Sequence, residues 1–213
     1  MKFIALFISV IMLSGCLPSK DRQQIVSVTI NNVQLEIPKE YFVNRIPPSG
    51  STQKDVGLAV VWPDFSPLPI SEQKLWEAGR LNERIRYVVS DPTKLKPLPE
   101  FFEFAKSFHM ASVDRGDLYG LKYFGHPSGQ VIDRDELFVL SDESNKPRSL
   151  ILCAKPESAH VKNALCKHIF AAGPLYVQAS YHRKYLSEWK NIEQETKNLI
   201  SKLQNNKISL GED

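Results

Sequence analysis

Residues 25–30, Ile-Val-Ser-Val-Thr-Ile, alternate β-branched apolar and polar side chains, and residues 33–37, Val-Gln-Leu-Glu-Ile, repeat the alternation after Asn31-Asn32. A period of two presents one apolar face, and Asn tolerates positive φ. The pattern therefore predicts two antiparallel strands joined by a tight turn. Residues 56–62 are a continuous apolar run, which predicts a buried strand. Prolines at 63, 67 and 69 then remove backbone donors and exclude regular structure. Ser71 reads as an N-cap, with Glu72 in the first turn of a short helix ending near Ala78. Residues 84–89 read as another strand. Phe101, Phe102, Ala105 and Phe108 recur at helical spacing and predict an amphipathic helix over 100–109.

The second half is richer in strand pattern. Residues 118–124, 136–140, 149–154, 166–171 and 175–182 each read as a strand, with turns at 126–129 and 141–147 and a break at Gly173-Pro174. The chain closes on its strongest helical signal. Leu186, Trp189, Ile192, Thr196, Leu199, Ile200 and Leu203 step by three and four, with acidic residues early and Lys197 and Lys202 late. An apolar stripe of this kind packs on a sheet. The expected fold class is α+β: an antiparallel sheet with short helices and a long amphipathic C-terminal helix packed on it.

The N-terminus changes the picture. One basic residue, Lys2, precedes an apolar run from Phe3 to Leu13, too short to span a bilayer, and then Leu13-Ser14-Gly15-Cys16. This resembles a bacterial lipoprotein signal with its lipobox. The resemblance implies cleavage after Gly15 and lipid attachment to Cys16. It divides the chain into a signal peptide (1–15), lipidated Cys and tether (16–24), one domain (25–205) and a polar tail (206–213). Leu17, where Asp would retain the protein at the inner membrane, favours the periplasmic face of the outer membrane. Anchoring by two or more acyl chains is stable, since each buried methylene contributes about 0.8 kcal/mol.

Charge adds little. The formal net charge of +3 falls to about +2 once Lys2 leaves, and nucleic acid is not an expected partner in the periplasm. With Cys16 committed to lipid, Cys153 and Cys166 remain as an even pair in an oxidising compartment, where a disulfide is the default. A reactive thiol has no Cys-x-x-Cys motif behind it, and a metal site needs more ligands than two thiols.

Candidate chemistry is sparse. Ser71/Lys74 and Ser187/Lys190 have the Ser-x-x-Lys spacing without the motifs that accompany it in acyl-enzymes. The histidines at 109, 126, 160, 168 and 182 show no metal-ligand spacing and read as surface residues. Asp133-Arg134-Asp135-Glu136 is the densest charged cluster and reads as a solvated turn, available to a charged partner. The expectation is a non-enzymatic protein without metal or cofactor.

Three stretches carry a family resemblance: Ile37-Pro38-Lys39-Glu40-Tyr41, Val61-Trp62-Pro63-Asp64-Phe65, and Tyr185-Leu186-x-Glu188-Trp189-x-x-Ile192. Behind a lipobox, this combination is similar to periplasmic immunity lipoproteins encoded beside type VI secretion effectors. The resemblance implies inhibition of a cognate toxin by binding, with Tyr41 and Trp62 as core. The alternative is a structural or assembly lipoprotein that binds another envelope component. Loops on a rigid scaffold usually carry recognition. The candidate contacts therefore lie in the loops 64–71, 126–136 and 155–160, with Asp64, Phe65, Asp133, Arg134, Asp135 and Glu136 singled out.

Overall fold

The structure is a computed structural model describing residues 24–43, 45–68, 75, 80–108, 111–126, 135–155 and 164–205. The lipobox, Cys16, the tail from 206 and nearly all of the helix expected at 71–78 lie outside the described residues. The exception in that helix is Leu75, which is helical and buried.

The first hairpin forms where the alternation places it. Strands β1 (Ile25–Ile30) and β2 (Val33–Pro38) pair antiparallel. Asn31 and Asn32 sit at φ 47° and 61°, the left-handed geometry that a two-residue hairpin turn requires. A short strand β3 (Ser51–Thr52) runs parallel to β1 and completes a three-stranded sheet.

Among the described residues, nine further strands form one antiparallel sheet. They are β4 (Asp55–Val61), β5 (Ser66–Pro67), β6 (Arg84–Ser90), β7 (Val113–Leu118), β8 (Leu121–Gly125), β9 (Asp135–Ser141), β10 (Pro147–Ala154), β11 (Leu165–Ala172) and β12 (Leu175–His182). Their order is β5-β4-β6-β12-β11-β10-β9-β8-β7. The stretch from β7 to β12 is a meander; β6 closes on β12 from the other half of the chain.

Among the described residues, two α-helices are defined along their length, α1 (Leu98–Phe108) and α2 (Trp189–Gln204). The stripe expected on the last helix is buried in full, from Leu186 in the preceding 3-10 turn through Leu203. It joins one core with the inward faces of both sheets, including Val28, Leu35, Tyr87, Phe138, Phe170 and Tyr181. Each such Leu, Ile or Phe contributes about 1.5–3 kcal/mol on burial. On the opposite face, α1 covers β9 and β10 through a smaller core of Leu98, Ala105, Leu137, Val139 and Leu150.

One expected element is corrected. Residues 118–124 are not one strand but parts of the β7–β8 hairpin, which turns at Tyr119-Gly120 with φ 55° and 76°. Strand β7 is an edge strand with an irregularity between Asp114 and Asp117, and its side chains beyond Val113 are exposed. Without a buried face it leaves no alternation to read.

Cys153 and Cys166 form a disulfide between directly opposed positions of β10 and β11, Cα–Cα 4.0 Å. The sequence separation is 13. Closing a loop of that length is worth about 3 kcal/mol in the chain-entropy account. The double variant Cys153→Ala/Cys166→Ala is expected to lose about that much in urea unfolding. A loss below about 1 kcal/mol would mean that the meander holds its register without the cross-link.

Candidate functional site

Few of the residues named as candidate contacts are displayed together. Asp64 is exposed in the turn after β4, but its neighbour Phe65 is held inward at φ 55°. The Phe65 ring stacks on Tyr87 at 6.5 Å and meets Trp62 edge-on at 5.7 Å. Tyr41, as expected, is core, and Trp62 is half-buried against it. Asp133 and Arg134 lie outside the described residues, as do residues 156–160. Asp135 and Glu136 begin β9, so they point to opposite faces of the sheet. Asp135 lines the outer face, whereas Glu136 is buried inside. Glu136 pairs with Arg183 and accepts a hydrogen bond from the Tyr123 hydroxyl at 2.7 Å. Burial, then that carboxylate, pushes the Tyr123 hydroxyl up to about 12. The reading of Glu136 as a solvated turn residue is therefore corrected: strand alternation separates it from Asp135 and commits it to an internal ion pair.

His168, read from sequence as a surface residue, is fully buried. Parity explains this. It lies between Cys166 and Phe170 on β11, and both of those face the core. Its Nε2 lies 2.6 Å from Ser149 Oγ and 3.1 Å from Glu193 Oε2, and its Nδ1 lies 3.4 Å from the Tyr181 hydroxyl. An ionised carboxylate only accepts, so Nε2 carries the proton and Nδ1 accepts from Tyr181. Lys197 donates to the other Glu193 oxygen at 2.5 Å. Burial lowers the imidazole and leaves it neutral at pH 7. Burial alone would raise the Glu193 carboxyl, but the hydrogen bonds from His168 and Lys197 outweigh it and hold the group at about 2.

Serine, histidine and a carboxylate in contact invite comparison with a nucleophilic relay. The wiring differs. A relay needs the hydroxyl on one ring nitrogen and the acid on the other. Here both Ser149 and Glu193 meet Nε2, and neither Ser149 nor His168 has any solvent-exposed surface. The cluster is a clamp that ties β10, β11 and β12 to α2. Ser187 and Lys190 lie on the exposed side of the last helical segment. Among the described residues no three His, Cys, Asp or Glu gather into a metal-ligand set.

The surface with the geometry of a binding site is the outer face of the nine-stranded sheet, beside α1. Two cavities open there, of about 400 and about 320 Å³, and they share Leu165. The first has Phe101 of α1 as a wall and Leu150, Leu152 and Ile169 as floor, with Lys167 and Gln178 at the rim. The second is lined by Arg84, Arg86, Ser180 and His182. Burial and the nearby Lys184 charge lower the His182 imidazole. Leu165, the first residue of β11, is 51 % exposed, and Val88 within β6 is 40 % exposed. Along α1, Phe104 (44 % exposed) and Phe108 (69 % exposed) stack at 5.3 Å, with the Lys96 ammonium 5.0 Å from the Phe104 ring centroid. Exposed large apolar side chains next to cavities make this face a candidate interaction surface. Sequence reasoning missed it because it lies on strands. The signal was present in Arg84-x-Arg86-x-Val88 and Leu165-x-Lys167, where mixed polar and apolar positions share the solvent-side parity.

A twisted antiparallel sheet, covered inside by a three-stranded sheet and a C-terminal helix and covered outside in part by α1, is the class of fold that these elements define. That fold is found in two solved structures. One is Smlt3025, an immunity protein of the Stenotrophomonas maltophilia type IV secretion system, with TM-score 0.64 and 15 % identity over 85 % of this chain and 93 % of that one. The other is FrpD, an iron-regulated outer membrane lipoprotein of Neisseria meningitidis, with TM-score 0.54 and 9 % identity over 86 % of this chain and 93 % of that one. At these identities the likeness is one of fold. No protein-family model and no curated protein sequence matches the chain.

Proposed function

We propose that this chain is a lipid-anchored envelope protein that binds and neutralises a toxin delivered into the periplasm. The observation that carries the reading is the cavity-bearing outer face of a disulfide-pinned sheet, in a fold shared with a secretion-system immunity protein. Neutralisation of this kind acts by occupying a surface. It requires a rigid scaffold and no catalytic step, and no group other than the lipid on Cys16. The motifs around Ile37-Pro38, Trp62-Pro63 and Tyr185–Trp189 favour a type VI effector as partner, whereas the structural neighbour is named for a type IV system. The gene beside this one decides between them.

The test is protection. Cells producing the adjacent-gene toxin in the periplasm are expected to survive when this chain is co-produced, and lack of protection would remove the immunity reading. Cys16→Ala is expected to abolish lipid labelling and membrane fractionation. Persistence of that variant in the membrane fraction would remove the anchor. The second reading, an assembly lipoprotein, is favoured by the FrpD likeness. It predicts an envelope-biogenesis gene as neighbour and an envelope defect on deletion.

A further inference from the structure

Strand direction sorts the connections to two ends of the molecule. At one end Gln24, just before β1, accepts a hydrogen bond from the Lys39 amide, and Tyr41 donates to the Phe65 carbonyl beyond the end of β4. The pairs Val61–Arg84, His182–Leu165 and Gly125–Val113 place the start of β6, the end of β12, the start of β11 and the end of β8 at that same end. α1 runs down to it as well, since Phe108 shortly precedes Val113, the first residue of β7. The opposite end carries the Asn31-Asn32 turn, where Asn31 donates to the Pro174 carbonyl, and the Tyr119-Gly120 turn. Each layer of the fold sets an exposed apolar residue at the Gln24 end. Ile25 of the three-stranded sheet is 48 % exposed, Leu165 of the nine-stranded sheet 51 % and Phe108 of α1 69 %, with Phe104 stacked behind it. Phe108 also has contacts within the chain, and they leave it at that exposure.

Resting on the lipid-anchor reading, we propose that the Gln24 end of the domain sits on the bilayer, with Phe108, Leu165 and Ile25 entering the headgroup boundary. Stacked layers lie about 10 Å apart, so these three points span roughly 20 Å, which suits a flat apolar boundary and not a small ligand. The tether selects the end. From Cys16 to Gln24 the chain can span at most about 28 Å. β1 alone runs about 20 Å towards the other end. Leu118 and Tyr119 are exposed there too, but seating them on lipid requires a tether drawn back along the domain and nearly fully extended, at an entropic cost. The Gln24 end needs no such extension. Charge at this end is mixed, with exposed Lys39 and Lys184 against exposed Asp64, so apolar insertion sets the contact. The anchor makes that contact intramolecular, so one too weak to hold the free domain still orients the tethered one. A second copy seated end to end would have to pack two lipid tethers between the domains. In this orientation the outer-face cavities open sideways, along the membrane plane.

The test uses the full-length acylated protein on phosphatidylcholine vesicles that carry a headgroup-nitroxide lipid. With Cys16 acylated and Cys153 bonded to Cys166, an introduced cysteine takes a fluorophore selectively. A probe at Ser107→Cys, exposed near the end of α1, is expected to be quenched about threefold more than one at Glu143→Cys, exposed in the β9–β10 turn at the opposite end. Adding Phe108→Ser/Leu165→Ser to the Ser107→Cys protein is expected to remove most of that difference while flotation with the vesicles is retained. Both residues are exposed, and melting temperatures check that the variant is folded. If the protein floats and the two probes are quenched equally, or the Glu143 probe more strongly, this orientation is overturned and the anchor reading stands. If the acylated protein does not float, the anchor reading fails and the orientation with it. If the Ser107 probe is shielded from an aqueous quencher only at high protein density, or only when the adjacent-gene toxin is added, this end is a protein contact and the proposal is overturned.

Discussion

Trp189→Ala is expected to destabilise the protein by about 3–5 kcal/mol, the range for truncating a large buried aromatic side chain. Trp189 opens α2 and is only 3 % exposed. Its indole N–H donates to the Tyr119 carbonyl at 3.0 Å, which ties the start of the helix to the β7–β8 turn. Its ring meets His168 at 6.1 Å, nearly perpendicular. Truncation therefore leaves a cavity, removes a donor from a turn carbonyl and loosens the wall of the buried polar clamp. Urea unfolding is expected to show a lower midpoint at unchanged slope, which is how a loss of stability without a change in exposed surface reads out. Trp189→Phe retains most of the ring and is expected to cost about 1–2 kcal/mol, chiefly the hydrogen bond. An Ala variant within 1 kcal/mol of wild type would mean that α2 is not the main cover of the sheet.

Acid is expected to unfold the protein in two stages, both governed by the clamp. His168 is lowered by burial, so over the range below the ordinary histidine value of about 6.5 the unfolded chain binds more protons than the folded one. Stability therefore falls as pH drops through that range. Glu193 is held at about 2, below the ordinary carboxyl value of 4.5, so its contribution is complete above 4.5 and is lost as pH falls towards 2. The two act in the same direction. Groups facing the imidazole are Ser149 from β10, Tyr181 from β12, and Glu193 and Lys197 from α2. His168→Gln is expected to flatten the upper part of the stability–pH curve and Glu193→Gln the lower part. Glu193→Ala at pH 7 removes the partner of both His168 and Lys197 and is expected to cost about 2–3 kcal/mol. Unchanged pH profiles in both Gln variants would remove the clamp as the source of acid sensitivity.

The clamp and the outer face share strands. His168 lies one residue from Lys167, and Gln178 lies between Val177 and Ala179, both core. The inner face therefore fixes the strand register on which the outer face depends. A variant that loosens the clamp is expected to blur the outer surface as well.

Legibility varied with how local the cause was. The Asn31-Asn32 hairpin, the helical stripe from Leu186 to Leu203 and the alternation of β12 needed only near neighbours in sequence, and each stands in the structure. The β7–β8 hairpin was misread because an exposed edge strand carries no buried period. Residue type points His168 to the surface, whereas its parity with Cys166 and Phe170 on β11 places it in the core. The Asp133–Glu136 cluster is continuous in sequence, but strand alternation puts Asp135 and Glu136 on opposite sides.

By itself, the sequence determined the class of the fold, the pair of cysteines available for cross-linking and the face of the last helix that packs inward. These follow from periodicities of 2 and 3.6 and from the compartment that the lipobox resemblance implies. Only the tertiary structure decided that β6 pairs with β12, across about half the chain, and in which register. That pairing brings Arg86 into line with Lys167 beside a groove under α1. No local pattern specifies it, because it is set by the long-range packing of two sheets and a helix around one core.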